Sequence, residues 1–355
     1  MTTTENYSET WGISQSAIKD FEKMSPLEWK KIWIDKEKKV ENKSTFLFGT
    51  VLDVLLFTPE SFDSKFYVAD LILPSEAIVS IIDTFYTKLK IKNTSLEEVN
   101  KELPYPVEIF WNLKDQKELL LECIKNYTSV DDKTGDVKYG WQNNWKEDTR
   151  IEKIIEQGNG YYNLLLELNG KIIISSKLKQ QADNLKNILL NHSLTKDWFI
   201  PQEGIELIFQ HEVFVDEKGE LPKKLSIDIK RIDHNKKTEQ IADFKTAVSA
   251  FLFSYSIKKY GYCRQLSFYN YYDNKLEGYT RLNPINIVID LKEQLPYIYE
   301  HSIEDLNIEI YGSIQHKLKG WLQIVEEITW HFQNSLWEYP KEMYENNKIK
   351  LKLYD

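Results

Sequence analysis

The sequence predicts an α+β or α/β fold in which a run of strands is set between helical regions. Three observations predict it. Over residues 12–200 apolar side chains recur at helical spacing, as in Trp29 and Trp33, or Leu178, Ala182, Leu185 and Leu189. From Gly204 the pattern changes to strand-like runs, GIELIFQHEVFVD, LSIDIKRID and EQIADFKT, with turn-like breaks at 216–222 and 234–237. Two helical stretches and a further apolar run, INIVIDL, then follow before a helical tail.

Taken in order, SQSAIKDFEKMSPLEWKKIWIDKEK reads as two helices, with Ser25-Pro26 as the start of the second and Trp29 and Trp33 as its core anchors. Phe46 to Phe57 reads as a buried helix interrupted by Gly49 and Asp53, ended by Thr58-Pro59. Asp53 falls one turn after Gly49, so the glycine would let another backbone approach near the acid. YYNLLLEL and KIIISS, separated by Asn169-Gly170, read as a hairpin. TSVDDKTGDVKYGWQNNW reads as an exposed loop or an irregular insertion, and SSKLKQQADNLKNILLNHSLTKDWF as an amphipathic helix. After the three strands, a helix over about Ser249–Tyr260 stops at Gly261, and a second carries Gln265 and Tyr269. INIVIDL is expected to be the final strand. GWLQIVEEITWHFQNSLWEYP is expected to be a helix ended by Pro340, before KIKLKLYD as a terminal strand or arm.

A formal charge of -9 argues against a protein that coats nucleic acid nonspecifically, but leaves room for an enzyme whose substrate sees one local groove. Cys123 and Cys263 are too few and too far apart for a disulfide framework or a zinc site. No apolar run is long enough to span a bilayer, and the opening residues lack a signal-peptide pattern, so a cytoplasmic protein is expected.

The chemistry concentrates between Leu225 and Tyr269. Asp228 sits in one apolar strand, flanked by Ile227 and Ile229, and Asp243 in the next, beside Phe244. Buried carboxylates are costly to desolvate without a partner, and two brought together by a hairpin repel unless a cation lies between them. Mg²⁺, which takes one or two protein carboxylates together with phosphate and water, is the obvious candidate. Strand alternation puts Lys245 on the face of Asp243, where an ammonium can orient or deprotonate an attacking water. The Asp-x-Lys spacing alone is weak, since it recurs at Asp63, Asp115, Asp216 and Asp228. A register using Asp216 with Asp228 and Lys230 stays open beside the one using Asp243.

Asp228, then Asp-Phe-Lys, then Tyr-Gly-Tyr-x-x-Gln-x-x-x-Tyr resembles the PD-(D/E)XK nuclease superfamily, and specifically its RecE-like exodeoxyribonuclease branch. The Ser14-x-Ser16 helix with Ser25-Pro26, Gly49 to Phe62, ILLNHSLTKDWF, NIVIDLKEQLPYIYEH and the Trp337–Pro340 tail resemble further segments of that family in the same order. The resemblance implies a mixed central sheet flanked by helices and one nuclease domain over 1–355. Its parts would be a mainly helical 12–200, a sheet core at 204–300 and a C-terminal helix and tail at 301–355.

It also implies metal ligation by Asp228 and Asp243, with the Phe244 carbonyl as a possible further ligand. Asp53, which stands where the family usually has a histidine, would complete the shell. A carboxylate there still suits Mg²⁺ or Mn²⁺, and equally fits reduced activity. Glu212 is a candidate ligand or supporting acid, or a rim residue. Lys245 would activate water, and Gln265 and Tyr269, one helical turn apart, would hydrogen-bond near Lys245 or the DNA backbone. The implied function is a DNA exonuclease that degrades duplex ends for recombination, as a homo-oligomer with a strand-annealing partner and no membrane. An endonuclease or single-strand nuclease, and a catalytically silent DNA-binding module, remain alternatives.

Overall fold

The computed structural model describes residues 10–37, 44–69, 73–100, 112–130, 137–168, 171–316 and 318–348. The chain divides into two compact units, Met1–Pro59 with Gln180–Asp355, and Glu60–Lys179. Residues 12–59 thus go with the sheet and not with the helices that follow them, a different division from the three consecutive parts expected. The reason is local: Ile13 bridges Lys223 in parallel, its N–H donating to Pro222 O at 2.8 Å and its carbonyl accepting from Lys224 N–H at 3.0 Å.

In the first unit, Gln15–Phe21 (α1) and Pro26–Trp33 (α2) are each capped by the serine before them, Ser14 and Ser25 accepting the amides of Ala17 and Glu28. Such caps satisfy amides that the first helical turn leaves without partners. Trp29 is fully buried, as expected of a core anchor, and donates its indole N–H to Ala17 O at 2.7 Å. Ser44–Phe57 (α3) carries Gly49 and Asp53. Among the described residues, a Cβ added at Gly49 would meet no atom within 4 Å. The expected close backbone approach at Gly49 is therefore not present.

The sheet is mixed. Ile205–Val215 (β1), Lys223–Asp233 (β2) and Thr238–Ala247 (β3) form an antiparallel meander. The chain then crosses through Phe253–Tyr260 (α4) and Tyr262–Tyr272 (α5) to Ile285–Asp290 (β4), which lies parallel to β3. Gly261, at φ +70, ends α4 and starts α5, a left-handed conformation that a side chain resists. β4 is not the last strand: Pro296–Glu300 (β5) pairs antiparallel with it. The reversal is built on Asp290, whose Oδ1 accepts the amides of Lys292 and Glu293, both at 2.8 Å.

Ile303–Tyr311 (α6) and Trp321–Asn334 (α7) follow. α7 ends at Ser335 in a left-handed conformation (φ 53), short of the expected stop at Pro340, which instead precedes the short helix Lys341–Asn346. α7 and α5 close over Leu225, Ile227 and Ile241 through Leu266, Phe268, Trp321, Ile324 and Ile328. Trp321 is fully buried and donates its N–H to Ser267 Oγ at 2.9 Å. Removing so large a side chain from a core costs about 3–5 kcal/mol.

The second unit packs Glu76–Asn100, Lys117–Asn126 and Glu147–Leu168 around Ile81, Phe85, Leu120, Ile154 and Tyr162. YYNLLLEL is therefore helix and not a strand of a hairpin. Ile151, Ile154, Gly158, Tyr162, Leu165 and Leu168 form a buried stripe at helical spacing that begins well upstream of it. Ile172–Ile174 is a strand, but it pairs in parallel with Phe66–Val68, while Asn169-Gly170 lies outside the described residues. The expected exposed loop holds a two-stranded pairing of Thr128–Val130 with Val137–Tyr139. The helix Ser176–Asn191 buries Ala182, Leu185 and Leu189 of the predicted stripe and leaves Leu178 half-buried. It ends at Asn191, short of the expected Phe199, before a separate helical turn at Lys196–Trp198. The KIKLKLYD arm lies outside the described residues from Ile349 on. Among the described residues no helix is long and apolar enough to cross a membrane.

Candidate active site

β2 and β3 are paired from Asp233–Thr238 up to Ile229–Ala242. The next step along each strand is Asp228 and Asp243, and there the pairing ends. β2 continues against β1, while β3 continues against β4, with Asp243 opposite Asn286 and Lys245 opposite Val288. The two acids thus stand where the strands part, and the polar atoms that a regular ladder would consume are available. The Phe244 N–H donates to Asp228 Oδ2 at 2.8 Å.

Asp243 is almost fully buried, and both its oxygens are engaged. Lys245 Nζ donates to Oδ1 at 2.7 Å, and Asn286 Nδ2 donates to Oδ2 at 2.8 Å. Asn286 Oδ1 lies 2.7 Å from His301 Nε2. With the amide oriented so that its NH₂ serves Asp243, His301 must be the donor, carrying its proton on Nε2. Burial holds His301 below the usual imidazole range, against the opposing charges of Asp305 and Asp243. A neutral donor fits that position.

Burial likewise pushes Asp53 up to about 6, relieved in part by Lys245 and raised further by Asp243. Asp228 is raised by burial first and then by Asp243, with Asp53 adding to the effect. Lys245 shows the converse: burial works against its charge, but Asp243 and Asp228 outweigh it and hold its pKa above the ordinary lysine value. Asp53 on α3, Asp228 on β2, and Asp243 with Lys245 on β3 therefore form one electrostatic group drawn from three elements.

Gln265 donates to Tyr269 Oη at 3.0 Å. Tyr269 is buried and its hydroxyl is raised, first by burial and then by Asp243. The Tyr262 ring lies 5.3 Å from Lys245 Nζ. Both tyrosines that follow the glycine of the Tyr-Gly-Tyr-x-x-Gln-x-x-x-Tyr run thus act on the Lys245 group.

Glu212 is exposed on β1, opposite Ser226, and its charge acts on Lys224. Among the described residues no three His, Cys, Asp or Glu side chains are grouped so as to hold a metal ion. The cation paired with Asp243 is the Lys245 ammonium. The alternative register through Lys230 is also absent. Lys230 is buried and gives its ammonium to Asp273 at 2.8 and 3.0 Å and to Asn274 O at 3.0 Å, while Asp216 is exposed just beyond the end of β1.

Three residues at the site were not foreseen. Asn286 had a signal in the sequence, since it is a lone amide in the wholly buried strand INIVID. His301 and Gln210 had none. Gln210 lies between the paired residues Phe209 and His211, level with Asp228, and interrupts the β1–β2 pairing with a left-handed φ of 48. Such a conformation costs a non-glycine residue about 1–3 kcal/mol and is concentrated at functional sites. No protein-family model matches this chain, and no curated protein matches it.

Proposed function

We propose that this chain is a divalent-metal-dependent deoxyribonuclease of the PD-(D/E)XK type, acting on the ends of duplex DNA as an exonuclease. The observation that carries the reading is the parting of β2 and β3 at Asp228 and Asp243, with Lys245 bonded to Asp243. The strand order and the parallel β3–β4 crossover through two helices are compatible with that fold class.

The donor chemistry fits a hard cation. Asp53 and Asp228 are both held above the ordinary carboxylate range by burial and by neighbouring negative charge, and oxygen-rich sites of this charge suit Mg²⁺ or Mn²⁺. Asp53, Asp228 and Asp243 would hold the ion. When bound, it supplies positive charge that neutralises the scissile phosphate and acidifies water. Lys245, released from Asp243 in exchange for the ion, would orient the attacking water, with Tyr262 and Tyr269 shaping its surroundings. Asn286 would keep Asp243 aimed from the side away from Lys245. Exchange of degraded ends with a strand-annealing protein, and assembly into a homo-oligomer around DNA, belong to the same reading.

A second reading is favoured by one observation: Lys245 already neutralises Asp243, and among the described residues no carboxylate triad is grouped. On that reading the chain is a silent nuclease fold that binds DNA. End-labelled linear duplex, closed circular duplex and single strand, each incubated with Mg²⁺, separate the possibilities. Loss of linear duplex alone supports the exonuclease, cutting of the circle an endonuclease, loss of single strand alone a single-strand nuclease, and loss of none the silent module.

A further inference from the structure

The segment between β3 and α5 leaves Lys245 and immediately exposes a series of large apolar side chains. Val248 is 75% exposed, Phe251 76%, Leu252 62% and Tyr255 71%. The segment is nevertheless firmly anchored. The Ala250 N–H donates to Asp290 Oδ2 at 2.7 Å, and Phe253 is buried and stacked on Tyr262 at 5.3 Å. Exposed aromatics on an anchored turn cost apolar hydration that folding does not recover, which marks a surface built for contact.

Its charge indicates the contact. Lys258 and Lys259 are exposed on the same short helix, and Lys259 Nζ lies 5.3 Å from the Tyr260 ring, with Lys19 Nζ at 5.8 Å. In a chain of formal charge -9 this is a local basic and aromatic surface. It is also continuous with the site, since Tyr260 lies 5.7 Å from Tyr262, whose ring is next to Lys245. Planar faces with flanking ammonium groups match a nucleic-acid strand, whose bases stack while its phosphates pair with lysine.

We propose that residues 248–260 form a single-strand DNA platform beside the cleavage site, with bases stacking on Phe251 and Tyr255 and phosphates pairing with Lys258 and Lys259. The proposal rests on the nuclease reading for its location and is tested apart from it. Binding of a fluorescently labelled single-stranded oligonucleotide is followed by anisotropy with chelator present, so that cleavage plays no part. Phe251→Ala/Tyr255→Ala is expected to weaken binding at least about tenfold, with urea unfolding and assembly mass unchanged and with Phe251→Trp retaining wild-type binding. Lys258→Ala/Lys259→Ala is expected to flatten the salt dependence of binding. Three results overturn the platform: no binding by wild type, undiminished binding by the aromatic double variant, or an altered assembly mass in that variant, which makes the patch a seam between copies. Digestion of linear duplex with Mg²⁺, measured alongside, reports on the nuclease reading independently.

Discussion

Asp243 is held from opposite sides by two residues of unequal character, the Lys245 ammonium on one oxygen and the Asn286 amide on the other, at 2.7 and 2.8 Å. The first contact is one a metal ion would replace. The second is buried, neutral and backed by His301, and is therefore the fixed half of the arrangement.

Removing that fixed half should cost stability as well as function. Asn286→Ala leaves Asp243 Oδ2 and the His301 N–H without partners in a buried place, and each such loss costs about 1–3 kcal/mol. Asn286→Asp should cost more, since it sets a second carboxylate against Asp243. Urea unfolding measures both. Equal midpoints for wild type and Asn286→Ala would remove Asn286 from this role.

Away from the site, the first unit carries a buried charge network whose pH dependence has a definite sign. Burial alone would raise Asp273, but His211, Lys230 and Arg281 hold its carboxyl below the ordinary aspartate range. An unfolded aspartate titrates near about 3.9. The stabilisation from Asp273 is thus complete above that pH and is lost as the pH falls through the lower folded value. Lys230→Met should cost about 3 kcal/mol near neutrality, as expected for a broken buried pair. It should also reduce the stability lost on acidification below pH of about 4. Urea midpoints across that range provide the check.

The strand acids and the Asp-x-Lys were legible because strand alternation and desolvation cost can be read from residue types alone. The chain order of β1, β2, β3, α4 and α5 was legible for the same reason. The missing parts depended on what lies next to each strand. Asn286 is a partner of Asp243 only because β4 runs parallel to β3 in one register, and nothing local announces the left-handed Gln210. YYNLLLEL was misread because eight apolar-rich residues fit either period. Its true neighbours lie upstream, where Gly158 admits Ile82, whose side chain would be 3.0 Å from an added Cβ. Gly49, by contrast, looked like a contact glycine, and among the described residues nothing lies within 4 Å of where its Cβ would be.

Asp53 is the residue on which the ion-binding reading turns. Mg²⁺ at one hundred times its dissociation constant should stabilise the wild type by about 2.7 kcal/mol. Asp53→Ala should lower the metal affinity and most of that gain, while Asp53→His should restore binding with a shift toward Mn²⁺, a softer ion than Mg²⁺. Thermal unfolding in each metal and in chelator reads the effect without any substrate. A metal-induced shift as large in Asp53→Ala as in wild type would place the ion elsewhere.

The proposed hydrolysis of DNA at Lys245 and its two aspartates is read most directly from the disappearance of end-labelled linear duplex with Mg²⁺. Wild type should degrade it, chelator should stop it, and Lys245→Ala should lower the rate by at least about a hundredfold while unfolding in urea as a cooperative, folded protein. Degradation by Lys245→Ala at the wild-type rate, or intact duplex with the wild type itself, would contradict it.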